Sequence, residues 1–215
     1  MTEEQNYTQN YSDRIKQTLE ILAEGNKRYQ NSEQYSPDFY GSELRSNTSR
    51  KSIMPLAIIL GCSDARVPPE IIFQRKLGEL FVIRTAGISI DDRVVGTIEL
   101  GITVFKVPLI IILGHTNCRA LEFAEDDVEF PGYSGQLVNS LKDAVKRTRS
   151  THPRLNDEPL RLEIIRTNSQ MVLENLLAQS DIIRQEHLSH RLAIVPALYD
   201  LKSGRVDFSP FAAIE

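Results

Sequence analysis

A chain of 215 residues with 41% hydrophobic content is long enough for one compact domain with a sizeable core and an appendage. A net charge of −4, a pI near 5.7 and the lack of any basic run argue against nucleic acid as a partner, and no apolar run is long enough to span a membrane. The polar, acidic start Met1-Thr-Glu-Glu-Gln-Asn6 does not read as a secretory signal, so the two cysteines are expected as thiols in a cytoplasmic protein.

Residues 1–11 read as frayed, and Ser12 is placed to cap a helix that follows. Ile15, Leu19, Leu22 and Tyr29 then fall on one helical face. Residues 30–52 are polar and turn-rich, without a clear element. The pattern divides the chain into an amphipathic helical arm, residues 1–45, and an α/β domain, residues 46–215. The arm's apolar stripe needs a cover, either this chain's own body or a partner subunit.

The domain opens on a strand at 55–61, Pro-Leu-Ala-Ile-Ile-Leu-Gly. Pro68-Pro69 starts a short helix, 69–75, because proline is tolerated in a first helical turn. Leu80–Ala86 is the second strand, and 91–106 a helix with Val95, Ile98, Ile102 and Phe105 on one face. Pro108–Leu113 is the third strand, and another helix begins near Asn117. Residues 121–133 read as an acidic loop. Leu137, Leu141 and Val145 mark a helix, and 149–159, with Pro153 and Pro159, a loop. Helix then runs over 160–188, in one piece or two. Arg191–Leu198 is a fourth strand, whose Pro196 suits it only near a sheet edge. Ser203-Gly204 turns the chain into a last short strand, Arg205–Phe208. Strands alternating with helices predict an α/β fold: a mainly parallel central sheet flanked by helices, with an antiparallel edge strand.

Two of these strands end alike. The apolar runs before Gly61 and Gly114 are continuous and rich in β-branched residues, as in strands buried on both faces of a parallel sheet. Cys62-Ser-Asp64-Ala-Arg66 follows the first glycine, and His115-Thr-Asn-Cys118 the second. Ligands of open α/β sheets bind beyond the carboxyl ends of the strands, and neighbouring strands lie about 4.8 Å apart. Cys62, His115 and Cys118 can therefore reach one metal ion. Soft sulfur donors favour zinc, and three protein ligands with one open position make a catalytic rather than a structural site. A single buried cysteine is usually a small core hydrophobe, but here both cysteines and one of four histidines fall at matching strand ends. Asp64, two residues after a ligand, is placed to orient a zinc-bound water, with Arg66 as a bidentate partner that keeps it ionised.

These segments resemble the β-class carbonic anhydrases over most of the core. Cys62–Glu70 and Gly114–Cys118 look like the family's two zinc motifs, Gly78–Gly87 like the strand between them, and Ala197–Val206 like the closing hairpin. The resemblance implies zinc on Cys62, His115 and Cys118, an Asp64–Arg66 dyad and reversible hydration of carbon dioxide to bicarbonate. It also implies an N-terminal arm that embraces a second subunit, giving a homodimer or larger homo-oligomer. Phe81, Ala86 and Gly87 are the expected substrate-binding residues, the first two lining a small apolar pocket. His187 and His190, three apart on one helix face, read as surface residues rather than a proton shuttle.

Three positions near the expected pocket depart from the family pattern: Ile53 stands for a glutamine, Ile88 for an asparagine and Arg119 for a glycine. The two isoleucines suit a less polar heterocumulene, carbon disulfide or carbonyl sulfide. Arg119 suits a non-catalytic zinc-bearing scaffold or bicarbonate-binding subunit. A Cys62–Cys118 redox switch is the remaining alternative.

Overall fold

The computed structural model describes residues 3–33, 37–50 and 53–210. Its elements in chain order are α1 (Glu3–Gln30), α2 (Ser42–Arg50), β1 (Ala57–Cys62), α3 (Pro69–Ile72), β2 (Leu80–Thr85), α4 (Asp92–Thr103) and β3 (Leu109–His115). There follow α5 (Arg119–Glu125), α6 (Gly132–Thr151), α7 (Asp157–Gln179), α8 (Asp181–Leu188), β4 (Ala193–Tyr199) and β5 (Val206–Phe208).

The five strands form one sheet in the order β2-β1-β3-β4-β5. β1 to β4 are parallel and β5 closes the edge antiparallel to β4. β1 and β3 occupy the middle and are buried at every residue, which is why their sequences are unbroken apolar runs. Pro196 fits because the ladder between β4 and β5 begins at Ala197–Phe208. Its carbonyl accepts the Ser209 N–H, and its missing N–H faces the side where β5 has ended.

Side chains alternate across the sheet into two cores. Ile58, Leu60, Ile110, Ile112 and Ile194 pack under Ile98 of α4, Leu141 of α6, Ile164 and Leu176 of α7 and Ile183 of α8. Ala57, Ile59, Leu109, Ile111, Leu113 and Val195 pack instead against Ile15 and Leu22 of α1 and against Ile72 and Phe73. Each Val, Leu, Ile or Phe side chain among them contributes about 1.5–3 kcal/mol on burial. The stripe of α1 is thus covered by this chain's own sheet.

Two details lock α1 down. Gly25 lies so close to the chain after α3 that a Cβ there would sit 1.9 Å from the Phe73 carbonyl oxygen. The buried Asn26 donates to the carbonyls of Gly204 (2.8 Å) and Ile72 (3.3 Å), while its Oδ1 accepts the Val206 N–H at 2.9 Å.

Several boundaries differ from those expected. α1 begins by Glu3, so residues 3–11 are helical and Ser12 lies inside the helix rather than capping it; residues 1 and 2 lie outside the described residues. α2 occupies part of the polar stretch read as element-free, although it buries none of its residues; positions 34–36 and 51–52 of that stretch lie outside the described residues. α5 claims the start of the expected acidic loop, because Leu121 and Ala124 are buried beneath it. The 149–159 loop shrinks to 152–156: α6 runs to Thr151, and Pro159 sits in the first turn of α7, where its missing N–H costs nothing. The last helical stretch is two helices, divided at Ser180, whose side chain accepts the Ile183 N–H to cap α8.

Candidate metal centre

β1 and β3 run side by side in register, Gly61 opposite Leu113, so their carboxyl ends deliver side chains to one place. Cys62, His115 and Cys118 meet there, with all their ligand atoms within 4.8 Å of one another. The two sulfurs are 4.0 Å apart. Tetrahedral bonding at Zn–S distances of about 2.3 Å would separate them by about 3.8 Å. All three residues are buried, His115 to 1% exposure. His115 Nδ1 lies 2.9 Å from the Thr116 carbonyl. Donation there fixes the ring and leaves the lone pair on Nε2, which is buried without a hydrogen-bond partner. An orphaned imidazole nitrogen beside two sulfurs fits a soft divalent cation such as zinc.

The electrostatics agree. The Cys62 thiol is drawn down to about 4, chiefly by the hydrogen bond with Cys118, against the opposing effect of burial. The Cys118 thiol is pushed up by that same contact and by burial. Without a cation the two sulfurs share one proton, since two bare thiolates in contact repel. A divalent ion relieves that conflict.

Asp64 sits beside the cluster in the loop after β1. Arg66 grips its carboxylate with both arms of the fork, Nε to Oδ1 at 2.9 Å and Nη2 to Oδ2 at 2.6 Å. The Arg66 N–H adds a third bond to Oδ1 at 2.9 Å. This contact holds the Asp64 carboxyl down at about 2. Arg66 Nη2 also reaches the Asn117 carbonyl at 3.2 Å, tying the first metal loop to the second. From β2, Arg84 bonds the carbonyls of Cys62 (2.8 Å) and Asp64 (2.5 Å).

A cavity of about 330 Å³ opens from Cys62 and Asp64. Ala86, Ala120, Phe123, Phe130, Leu137 and Val138 form its apolar walls, and Arg119 stands at it. The Arg119 guanidinium is tied to Glu122 at 2.7 Å and lies 4.9 Å over the Phe123 ring.

The structure distributes the other sequence-derived residues unevenly. Ala86 lines the cavity. The backbone N–H of Gly87 serves the Cys62 sulfur, and the Gly87 carbonyl takes a bond from the buried Asn168 at 2.9 Å. Gly87 has φ +64°, and a Cβ there would lie 2.5 Å from Leu141 Cδ1. Phe81 is elsewhere: it pairs with Ile58 in the ladder and packs against Phe105 at 5.6 Å between ring centroids. It lies four positions before Thr85, the partner of Cys62, or about 13 Å along a strand. Ile53 lies beside Gly78 at the entry to β2. Ile88 is buried in the core at φ +60°, a left-handed conformation that asparagine adopts far more readily than a β-branched residue. Of the three departures only Arg119 lines the cavity. His187 bonds the Leu192 carbonyl at the end of α8, and neither it nor His190 lines the cavity.

Arg84, Asn168 and Thr116 escaped the sequence reading. Each acts on backbone groups, and a bond to a carbonyl or N–H leaves no partner residue type to look for.

A family model described as carbonic anhydrase matches residues 57–206. A carbonic anhydrase of Mycolicibacterium smegmatis is 35% identical over 190 residues, 86% of this chain and 89% of the relative. Among solved structures, that of the β-carbonic anhydrase CcaA aligns with a TM-score of 0.72 at 24% identity, covering 89% of this chain and 95% of that one. One of two tetrameric β-carbonic anhydrases of Sordaria macrospora aligns with a TM-score of 0.66 at 22% identity, covering 86% and 90%.

Proposed function

This chain belongs to the β-class carbonic anhydrase family, and we propose on that premise that Cys62, His115 and Cys118 hold one zinc ion at which carbon dioxide is hydrated. Zinc is the family's cofactor, and reversible conversion of carbon dioxide to bicarbonate and a proton is the family's activity. The observation that carries the assignment is the three-ligand cluster with its unpartnered His115 Nε2.

Bound zinc supplies a water acidic enough to deliver hydroxide near neutral pH. Asp64 accepts a hydrogen bond from the attacking oxygen and turns its lone pair toward the substrate carbon. It can do so because Arg66 holds the carboxylate ionised at every working pH. Ala86, Phe123 and Phe130 offer carbon dioxide an apolar wall that excludes bulk water. Bicarbonate then leaves past Arg119.

Stopped-flow measurement of carbon dioxide hydration, with elemental analysis of the same sample, tests the assignment. One zinc per chain and turnover are expected. Zinc-free protein, or zinc-loaded protein inert from about pH 6 to 9, the range in which the metal's water ionises, would overturn it. The case for carbon disulfide or carbonyl sulfide loses its motive, because Ile53 and Ile88 do not face the cavity.

The protein is also proposed to work as a homodimer or larger homo-oligomer, with 46–215 as the zinc domain and residues 1–45 as the arm, which would embrace a second copy through the face of α1 turned away from its own sheet. The tetrameric Sordaria macrospora neighbours support this. So do the edge of β2, unpaired among the described residues, and the exposed Leu100 on α4 and Val104 just past its end, α4 packing beside β2. Light scattering at micromolar concentration should find at least a dimer. A cytoplasmic location goes with this reading, since cysteines kept reduced as metal ligands suit a reducing compartment.

A further inference from the structure

β1 leaves the sheet at Cys62. Its ladder with β2 ends on the pair Cys62–Thr85, with one more bond from the Ser63 N–H to the Thr85 carbonyl at 3.0 Å. Beyond that point, among the described residues, no strand supplies donors for the carbonyls of Cys62 and Asp64. The guanidinium of Arg84 supplies them, Nε to Cys62 at 2.8 Å and Nη2 to Asp64 at 2.5 Å. Arg84 stands opposite Gly61, at the last turn-free stretch of the ladder. Its rigid fork spans two carbonyls on either side of Ser63, a spacing that a lysine's single ammonium cannot bridge with the same geometry.

We propose that Arg84 is the positioning residue of this centre: its fork replaces the missing strand and sets the backbone from which Cys62 and Asp64 project. The proposal rests on the metal centre assigned to Cys62, His115 and Cys118. Among the described residues, Arg84's side-chain hydrogen bonds go to the carbonyls of Cys62 and Asp64 and not to the three ligand side chains or the Asp64 carboxylate, so it acts through the main chain. The Asp64 carbonyl also accepts the Val67 N–H at 3.0 Å, so the turn that delivers Arg66 to Asp64 hangs from the same oxygen. Loss of the fork frees a ligand and the orienting carboxylate together. Outer partners of metal ligands typically change metal affinity by about 10- to 100-fold.

The test measures zinc retention by competition with a chelator, alongside steady-state hydration kinetics, for wild type, Arg84→Ala and Arg84→Lys. Arg84→Ala should bind zinc about 10- to 100-fold more weakly, with kcat lowered and KM little changed. Millimolar guanidinium ion should restore part of both losses, which it would not do for a general loss of stability. Arg84→Lys should fall between, because one donor replaces two. Wild-type zinc affinity and kcat in Arg84→Ala would overturn the proposal. So would wild-type behaviour of Arg84→Lys, the variant that decides the matter if Arg84→Ala does not fold. Zinc retention is read without turnover, so a wild type that holds zinc yet hydrates no carbon dioxide would sink the enzymatic assignment and leave this test intact.

Discussion

The ends of β1 and β3 and the loops that follow carry the residues proposed to hold the metal, yet different forces hold them. The second loop is bound chiefly by neutral bonds at the end of a fully buried strand, with one tie from Arg66 to its Asn117 carbonyl. The Thr116 N–H donates to the Tyr199 carbonyl at 3.0 Å, and Thr116 Oγ1 accepts the Leu201 N–H at 3.0 Å. The first is held by guanidinium groups, Arg84 on its carbonyls and Arg66 on its carboxylate. Arg66 and Arg84 are exposed. Backbone bonds inside a sheet fix a ligand and do nothing else. If Asp64 orients the attacking water as proposed, its carboxylate must face the cavity ionised, and a charged partner such as Arg66 holds it so.

Removing a ligand should erase the difference between the loops. His115→Ala and Cys62→Ala are each expected to yield zinc-free protein, measured by elemental analysis; metal retained in either would contradict the shared centre. Losing the orienting group should restore the contrast. Asp64→Asn is expected to keep its zinc and lose about a hundredfold or more in hydration rate, the scale of one acid–base group. Arg66→Ala should lose nearly as much, and the double variant little more, since the two act as one unit. Equal rates in all three variants and wild type would dismiss the dyad.

Smaller effects belong to the supports. Gly87→Ala places a Cβ at φ +64°, 2.5 Å from Leu141, and should cost about 1–3 kcal/mol in denaturant unfolding. An unchanged midpoint would mean that the turn after β2 has more room than its contacts indicate. Thr116→Val strands the Leu201 N–H and should cost about 1 kcal/mol while zinc content stays at wild type. Loss of zinc in that variant would show that the metal, and not only the fold, depends on the Thr116 hydroxyl.

Much of this was legible in the chain. β1 and β3 announce themselves because a strand buried on both faces has no reason to alternate, and the ligands follow each terminal glycine. Pattern reading failed where packing overrides composition. α5 hides in an acidic stretch because only Leu121 and Ala124 of its seven residues are buried. The first turns of α1 carry no apolar period before Ile15, so apolar spacing alone marks the helix only from Ser12 onward. Phe81 sits in a motif of the right family but four residues short of the strand end that matters. Ile88 shows the opposite failure: its identity suggested a change of pocket, whereas its side chain belongs to the core and only its backbone angle is unusual.

Asn26 has one consequence for how the molecule is made. Its partner Val206 lies 180 residues further along the chain. A ribosome adding about 5–20 residues per second takes roughly 10–40 s to synthesise that interval. Throughout it, α1 exists without β5 and with its share of the second core unfinished, since β3 and β4 also come later. Such distant closure slows folding and leaves Ile15 and Leu22 open to chaperones on the nascent chain. The helix made first is among the last to be secured.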